Sequence, residues 1–86
     1  MYDLVSQNYP NPCKTTSRVT VNLKEASKLR LVVNDLLGRK VFELPAFNAQ
    51  PGAQMLVIDA SKLTPGVYTY TVSVNNVDVT KKMIVK

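Results

Sequence analysis

No histidine and no tryptophan occur in the 86 residues, and Cys13 is the lone cysteine. Without histidine the chain lacks the side chain that most often works as general base or neutral metal ligand near pH 7. A single thiol can form neither an intrachain disulfide nor a thiolate zinc site, so the redox compartment stays open. No apolar run approaches the roughly 20 residues needed to span a bilayer, and no transmembrane segment is expected. The stretch MYDLVSQNYP lacks the charged start and apolar run of a signal peptide. The eleven basic and six acidic residues leave a net charge of +5. This excess favours solubility and an anionic partner. The basic residues are scattered rather than set in a stripe with interleaved aromatics, which speaks against nucleic acid.

The remaining polar residues are no better placed for chemistry. Asp3, Glu25, Asp35, Glu43, Asp59 and Asp78 are dispersed, with no calcium-loop spacing. Ser6, Ser17, Ser27, Ser61 and Ser73 stand in no glycine-framed elbow. Nothing near Cys13 would lower its pKa, and it fits a small apolar residue packed beside a proline-rich turn. The expectation is a chain with no catalytic residues, no metal and no cofactor. Asp35 and Asp59, each at a strand end, are expected to cap nearby backbone N–H groups.

Apolar residues recur with a period of two. RVTVNL sets Val19, Val21 and Leu23 on one face. KLRLVV does the same with Leu29, Leu31 and Val33, and VYTYTVSV with Tyr68, Tyr70, Val72 and Val74. Such alternation marks strands with one buried and one wet face. KVFEL and QMLVID are shorter, more continuously apolar candidates. Residues 28–41 also fit a helical face, but Val32–Val33, Asn34–Asp35 and Gly38 favour strand–turn–strand. TPGV and QPGA suit type II turns, Asn75–Asn76 a two-residue hairpin loop, and Gly38 the left-handed position of a longer one. NYPNP is expected to be extended, because each proline biases its predecessor away from the helix. LKEASK and DASKL are each compatible with one helical turn. The sum is a single all-β domain, a small immunoglobulin-like β-sandwich of six or seven antiparallel strands.

The closing run, NVDVTKKMIVK, poses a phase problem. An unbroken strand puts Val77, Val79, Lys81, Met83 and Val85 on one face, so a lysine points toward the core. A bulge would send Lys82 inward instead. The strand therefore lies at the sandwich margin or bends there. Its lysines serve either as a charged edge that discourages aggregation or as cations presented to a receptor.

Three blocks in register, LVSQNYPNP, SKLRLVVNDLLGRKV and LTPGVYTYTVSVNNVDVTKKMIVK, resemble the C-terminal sorting domain of the type IX secretion system, of the type A signal family. The likeness runs from about Leu4 to Lys86, though Cys13 stands where members often carry an aromatic. It implies a non-catalytic β-sandwich closing a larger secreted cargo. Such a domain is read by the outer-membrane translocon, is commonly removed by a sortase-like peptidase, and passes through the periplasm to the cell surface or medium. By the same resemblance, Lys81, Lys82, Lys86, Asp35, Gly38 and Arg39 fall at recognition positions, and Pro10, Asn11, Pro12, Gly66 and Tyr68 at structural ones. The receptor contact is then expected on the terminal hairpin (67–86) and the Gly38 loop. The alternative from another class is an accessory binding or spacer module, for example for carbohydrate. Tyr68 and Tyr70 share a phase with Val72 and Val74, however, and so look like core rather than a stacking platform.

Overall fold

A computed structural model describes residues 4–86, so Asp3 lies outside the described residues. The expected all-β sandwich is what forms. Seven strands make up the described chain: β1 (Leu4–Val5), β2 (Thr16–Leu23), β3 (Ser27–Asn34), β4 (Lys40–Ala49), β5 (Gly52–Asp59), β6 (Gly66–Val74) and β7 (Val77–Val85). One sheet has the order β1-β2-β5 and the other β4-β3-β6-β7, and every neighbouring pair of strands is antiparallel. The chain changes sheets between β2 and β3, β4 and β5, and β5 and β6. The β3–β4 and β6–β7 connections are hairpins within one sheet.

The alternating apolar residues meet between the sheets. Val19, Val21, Leu56 and Ile58 from one face Leu29, Leu31, Val33, Tyr70, Val72 and Met83 from the other, all buried. Each aliphatic side chain taken fully out of water contributes about 1.5–3 kcal/mol, which matters in a chain this short. Residues 28–41 form strand, turn and strand, not a helix. Asn75 and Asn76 both adopt positive φ, 49° and 70°, as a tight hairpin with right-handed strand twist requires.

Four local expectations need correction. β4 runs on through Pro45, beyond KVFEL, and slips register between the Leu29–Phe47 and Leu31–Leu44 pairs. Proline has no N–H to donate, and an edge strand with a bulge is where the ladder tolerates that loss. Gly52 has a positive φ of 110°, but Gly66, at 157°, is nearly extended and opens β6 instead of occupying the third position of a type II turn. NYPNP is non-helical yet not extended: the Tyr9–Pro10 and Asn11–Pro12 bonds are cis, and residues 10–12 bend. LKEASK is the end of β2, a bend at Lys24–Glu25 and the start of β3, while DASKL makes one hydrogen-bonded turn, Leu63 N to Ala60 O at 3.0 Å, and no helix.

Candidate recognition surface

β7 is the outer strand of its sheet, and its register with β6 is unbroken from Val77 to Val85. Lys81 therefore takes the inward phase opposite Tyr70 and is half-buried at the margin, while Lys82 points outward and is exposed. No bulge resolves the lysine problem; the edge position does, because a long stem can lie along apolar surface with its ammonium in water.

An edge strand leaves one row of backbone groups unpaired. On β7 much of that row is taken up by the first sequence block. Gln7 Nε2 donates to the Lys82 carbonyl (2.8 Å), and Ile84 N donates to Asn11 Oδ1 (3.0 Å). Cys13 N donates to the Ile84 carbonyl (3.0 Å), and Lys86 N donates to the Cys13 carbonyl (2.7 Å). The bend that presents these groups is held from inside. Buried Asn8 Nδ2 donates to Ser17 Oγ (2.8 Å), and Ser17 Oγ donates to the Pro10 carbonyl (3.0 Å). Pro10, Asn11 and Pro12 thus belong to a clasp between the two ends of the chain. Cys13 is buried in it, and desolvation pushes its thiol pKa up, so the thiol stays neutral.

The β3–β4 loop is bound up by one carboxylate. Asp35 Oδ1 accepts from Leu37 N and Arg39 N, both at 2.9 Å, and Oδ2 accepts from Arg39 Nε at 2.8 Å. Backbone bonds from Gly38 N to Asp35 O and from Asp35 N to Arg39 O, each 3.0 Å, close the turn. Gly38, at φ 83°, supplies the left-handed residue after it. The bond from the Arg39 backbone is the main reason the Asp35 carboxyl is held below its ordinary value, with Arg39's side chain and the Leu37 amide adding to it. Asp59 works the same way, accepting from Ser61 Oγ (2.7 Å) and Ser61 N (3.0 Å).

Across from this loop, Tyr68 buries its ring and donates its hydroxyl to the Thr64 carbonyl at 2.6 Å. This pins the Thr64–Gly66 turn in the manner of a tyrosine corner. Between loop and turn lies an open groove of about 420 Å³. Leu36, Leu37, Arg39 and Val41 line one side, and Lys62, Leu63, Pro65 and Val67 the other.

Strand register shows how these features are arranged. Asn34 pairs with Thr69 and Lys40, Thr16 with Asp59, and Gly66 with Val85, so the 35–39 loop, the 60–65 connection and Lys86 gather at one end of the sandwich. Leu4 pairs with Asn22 and Gly52 with Leu23, which puts the start of β1 at the other end. The nine residues of β6 separate the two by about 26 Å at about 3.3 Å per residue.

Of the residues singled out from sequence, Asp35, Gly38, Arg39, Gly66, Tyr68 and Lys86 come together at this end. Lys81 and Lys82 lie further along β7, and Pro10, Asn11 and Pro12 flank its edge. Sequence reasoning missed Gln7, Asn8 and Ser17 as holding groups, since their partners are distant or buried, and it gave Leu36 and Leu37 no role of their own beyond the 28–41 helical alternative and the DLLGRKV motif. A signal for the leucines existed, since the central positions of such a turn make no demand for apolar residues. Among the described residues, no group of three or more His, Cys, Asp or Glu is gathered as a metal site. Among the same residues no helix is long and apolar enough to cross a membrane.

Fold and motif placement together define a small antiparallel β-sandwich module with a hydrogen-bonded, mixed apolar and cationic end. The chain belongs to the type IX secretion system C-terminal sorting domains, the family model described as secretion system C-terminal sorting domain matching residues 7–86. Membership makes it a sorting signal for secretion to the cell surface or extracellular space. A search of curated proteins finds no match.

Proposed function

We infer that residues 1–86 form a single, non-catalytic domain, the C-terminal address of a larger secreted cargo. It carries that cargo from the periplasm through the outer membrane and is then removed by a sortase-like peptidase. The translocon reads the folded end made by the 35–39 loop, the Thr64–Gly66 turn and the final residues of β7. Asp35, Gly38 and Arg39 set the loop's shape, while Lys81, Lys82 and Lys86 supply charge that steers an acidic receptor. One observation carries this reading: the motif-bearing loops and Lys86 gather at the end opposite the start of β1. A cargo joined ahead of β1 would enter the sandwich at the other end.

The test fuses residues 1–86 behind a periplasmic reporter in a host that has this secretion system. The reporter is expected at the surface or in the medium, and retention in the periplasm overturns the proposal. Deleting 81–86 would also remove buried Met83 and Val85, so the sharper variant replaces Lys81, Lys82 and Lys86 with alanine. That variant keeps the core and is expected to slow export. Unchanged export would remove the lysines from the address. Tyr68 and Tyr70 are both buried and offer no stacking face to a carbohydrate.

A further inference from the structure

We propose that the groove between the 35–39 loop and the 62–68 turn docks a protein partner that presents an apolar side chain flanked by carboxylates, with Leu36 and Leu37 as its anchors. This rests on the sorting function above and specifies the chemistry of its contact.

Leu36 and Leu37 are 74% and 78% exposed. A lone surface leucine needs no explanation, but this is an adjacent pair beside Val41, Leu63, Pro65 and Val67. Neither leucine serves the turn. The carboxylate of Asp35, the Gly38 φ and the two closing backbone bonds hold it, and polar residues would occupy its central positions equally well. The same bonds fix the backbone that carries the leucines, so the loop's share of the ordering cost is already met by the fold.

The groove's charge indicates what the partner brings. Its charged lining is Asp35, Arg39 and Lys62. Both Asp35 oxygens are committed within the loop, and its side chain is only 16% exposed. The Arg39 side chain gives Nε to Asp35 and is 72% exposed. An incoming surface therefore encounters guanidinium and ammonium donors and no uncommitted carboxylate from this lining. Carboxylates at fixed spacing around an apolar group answer that arrangement. The start of β1 lies at the far end of the sandwich, and the occupant proposed is a separate protein.

Two measurements test the proposal, and only one depends on secretion. In solution, the full chain is titrated with a short peptide carrying leucines between glutamates, and with its lysine counterpart, following backbone amides by NMR. The acidic peptide is expected to shift Leu36 to Arg39 and Lys62 to Gly66 and to bind about tenfold more tightly than the basic one, with an advantage that shrinks as salt is raised. Equal binding, or shifts elsewhere, overturns the proposal whatever happens to export. In the reporter fusion, Leu36→Ser with Leu37→Ser, and separately Lys62→Glu, are expected to slow export about tenfold while the thermal midpoint of the isolated chain stays put. Lys62→Arg is expected to export normally. If the wild-type fusion exports and the serine and glutamate variants match it, docking at this groove is refuted while the sorting function stands. If the wild type stays in the periplasm, the sorting function fails and the titration alone decides the groove. Leucine-dependent dimerisation in sedimentation would make a second copy the occupant and refute the proposal.

Discussion

Asn11 Oδ1 accepts a hydrogen bond from the Ile84 amide at 3.0 Å, joining residues 73 positions apart in the sequence. Through it, and the flanking bonds from Gln7 and Cys13, the first sequence block covers the outer edge of the last strand. The N-terminal motif and the terminal strand are one structural unit.

Replacing Asn11 with alanine uncaps that amide. The bond is solvent-accessible, so water compensates in part, and the expected cost is about 0.5–1.5 kcal/mol. For a domain this size that lowers the thermal midpoint by about 4–8 °C per kcal/mol. Asn11→Asp keeps the acceptor and is expected to restore most of the loss. Hydrogen exchange at Ile84 should quicken in the alanine variant, and an unchanged rate would mean the clasp does not hold the edge.

Cys13 reports on the same clasp. Its burial and raised pKa predict native alkylation at least about tenfold slower than in the unfolded chain. Asn11→Ala is expected to speed the labelling, because both residues secure Ile84. Equal rates in native and unfolded protein would show that the segment does not protect the thiol.

Tyr70 separates ring packing from hydrogen bonding. The ring is fully buried, and the hydroxyl donates to the Ser6 carbonyl at 2.9 Å. Tyr70→Phe keeps the ring and is expected to cost about 1 kcal/mol in denaturant unfolding. Leu31→Ala, at the centre of the core, is expected to cost about 2–5 kcal/mol. That is a large share of the roughly 5–15 kcal/mol that stabilises a typical domain.

The chain should lose stability in acid. Hydrogen bonds hold the carboxyls of Asp35, Glu43 and Asp59 below their ordinary values: from Arg39 to Asp35, from Lys40 and then Arg30 to Glu43, and from Ser61 to Asp59. A folded-state value below the unfolded one means the unfolded chain takes up protons first as pH falls. Their contribution is therefore complete above the unfolded values, near 3.8 for Asp and 4.5 for Glu, and is lost as pH drops through the folded ones. Urea midpoints are expected to be flat around about pH 6 and to fall below about pH 4. Asp35→Ala should show a smaller acid drop, with faster exchange at the Leu37 and Arg39 amides throughout.

Much of the architecture was legible because it is local. Period-two alternation placed the buried residues of β2, β3 and β6. Asn75–Asn76 and Gly38 marked their turns through the left-handed conformations they tolerate, and Asp35 and Asp59 were readable as caps because their partners lie within four residues. Pro45 hid the length of β4, because a proline argues against a strand until the edge position and bulge are known. Gly66 suggested the wrong turn for a similar reason: its role follows from where β6 begins.

Composition and alternation by themselves determined an all-β sandwich with a sparse chemical repertoire, and the order of the three motifs determined the family. Only the tertiary structure decided that the QNYPNPC segment clasps β7, that Lys81 rather than Lys82 takes the inward phase, and that Leu36 and Leu37 share a groove with Lys62. Strand character is written in neighbours two residues apart. These other relations depend on which edges and loops the packing of two sheets brings together, and no local pattern encodes that.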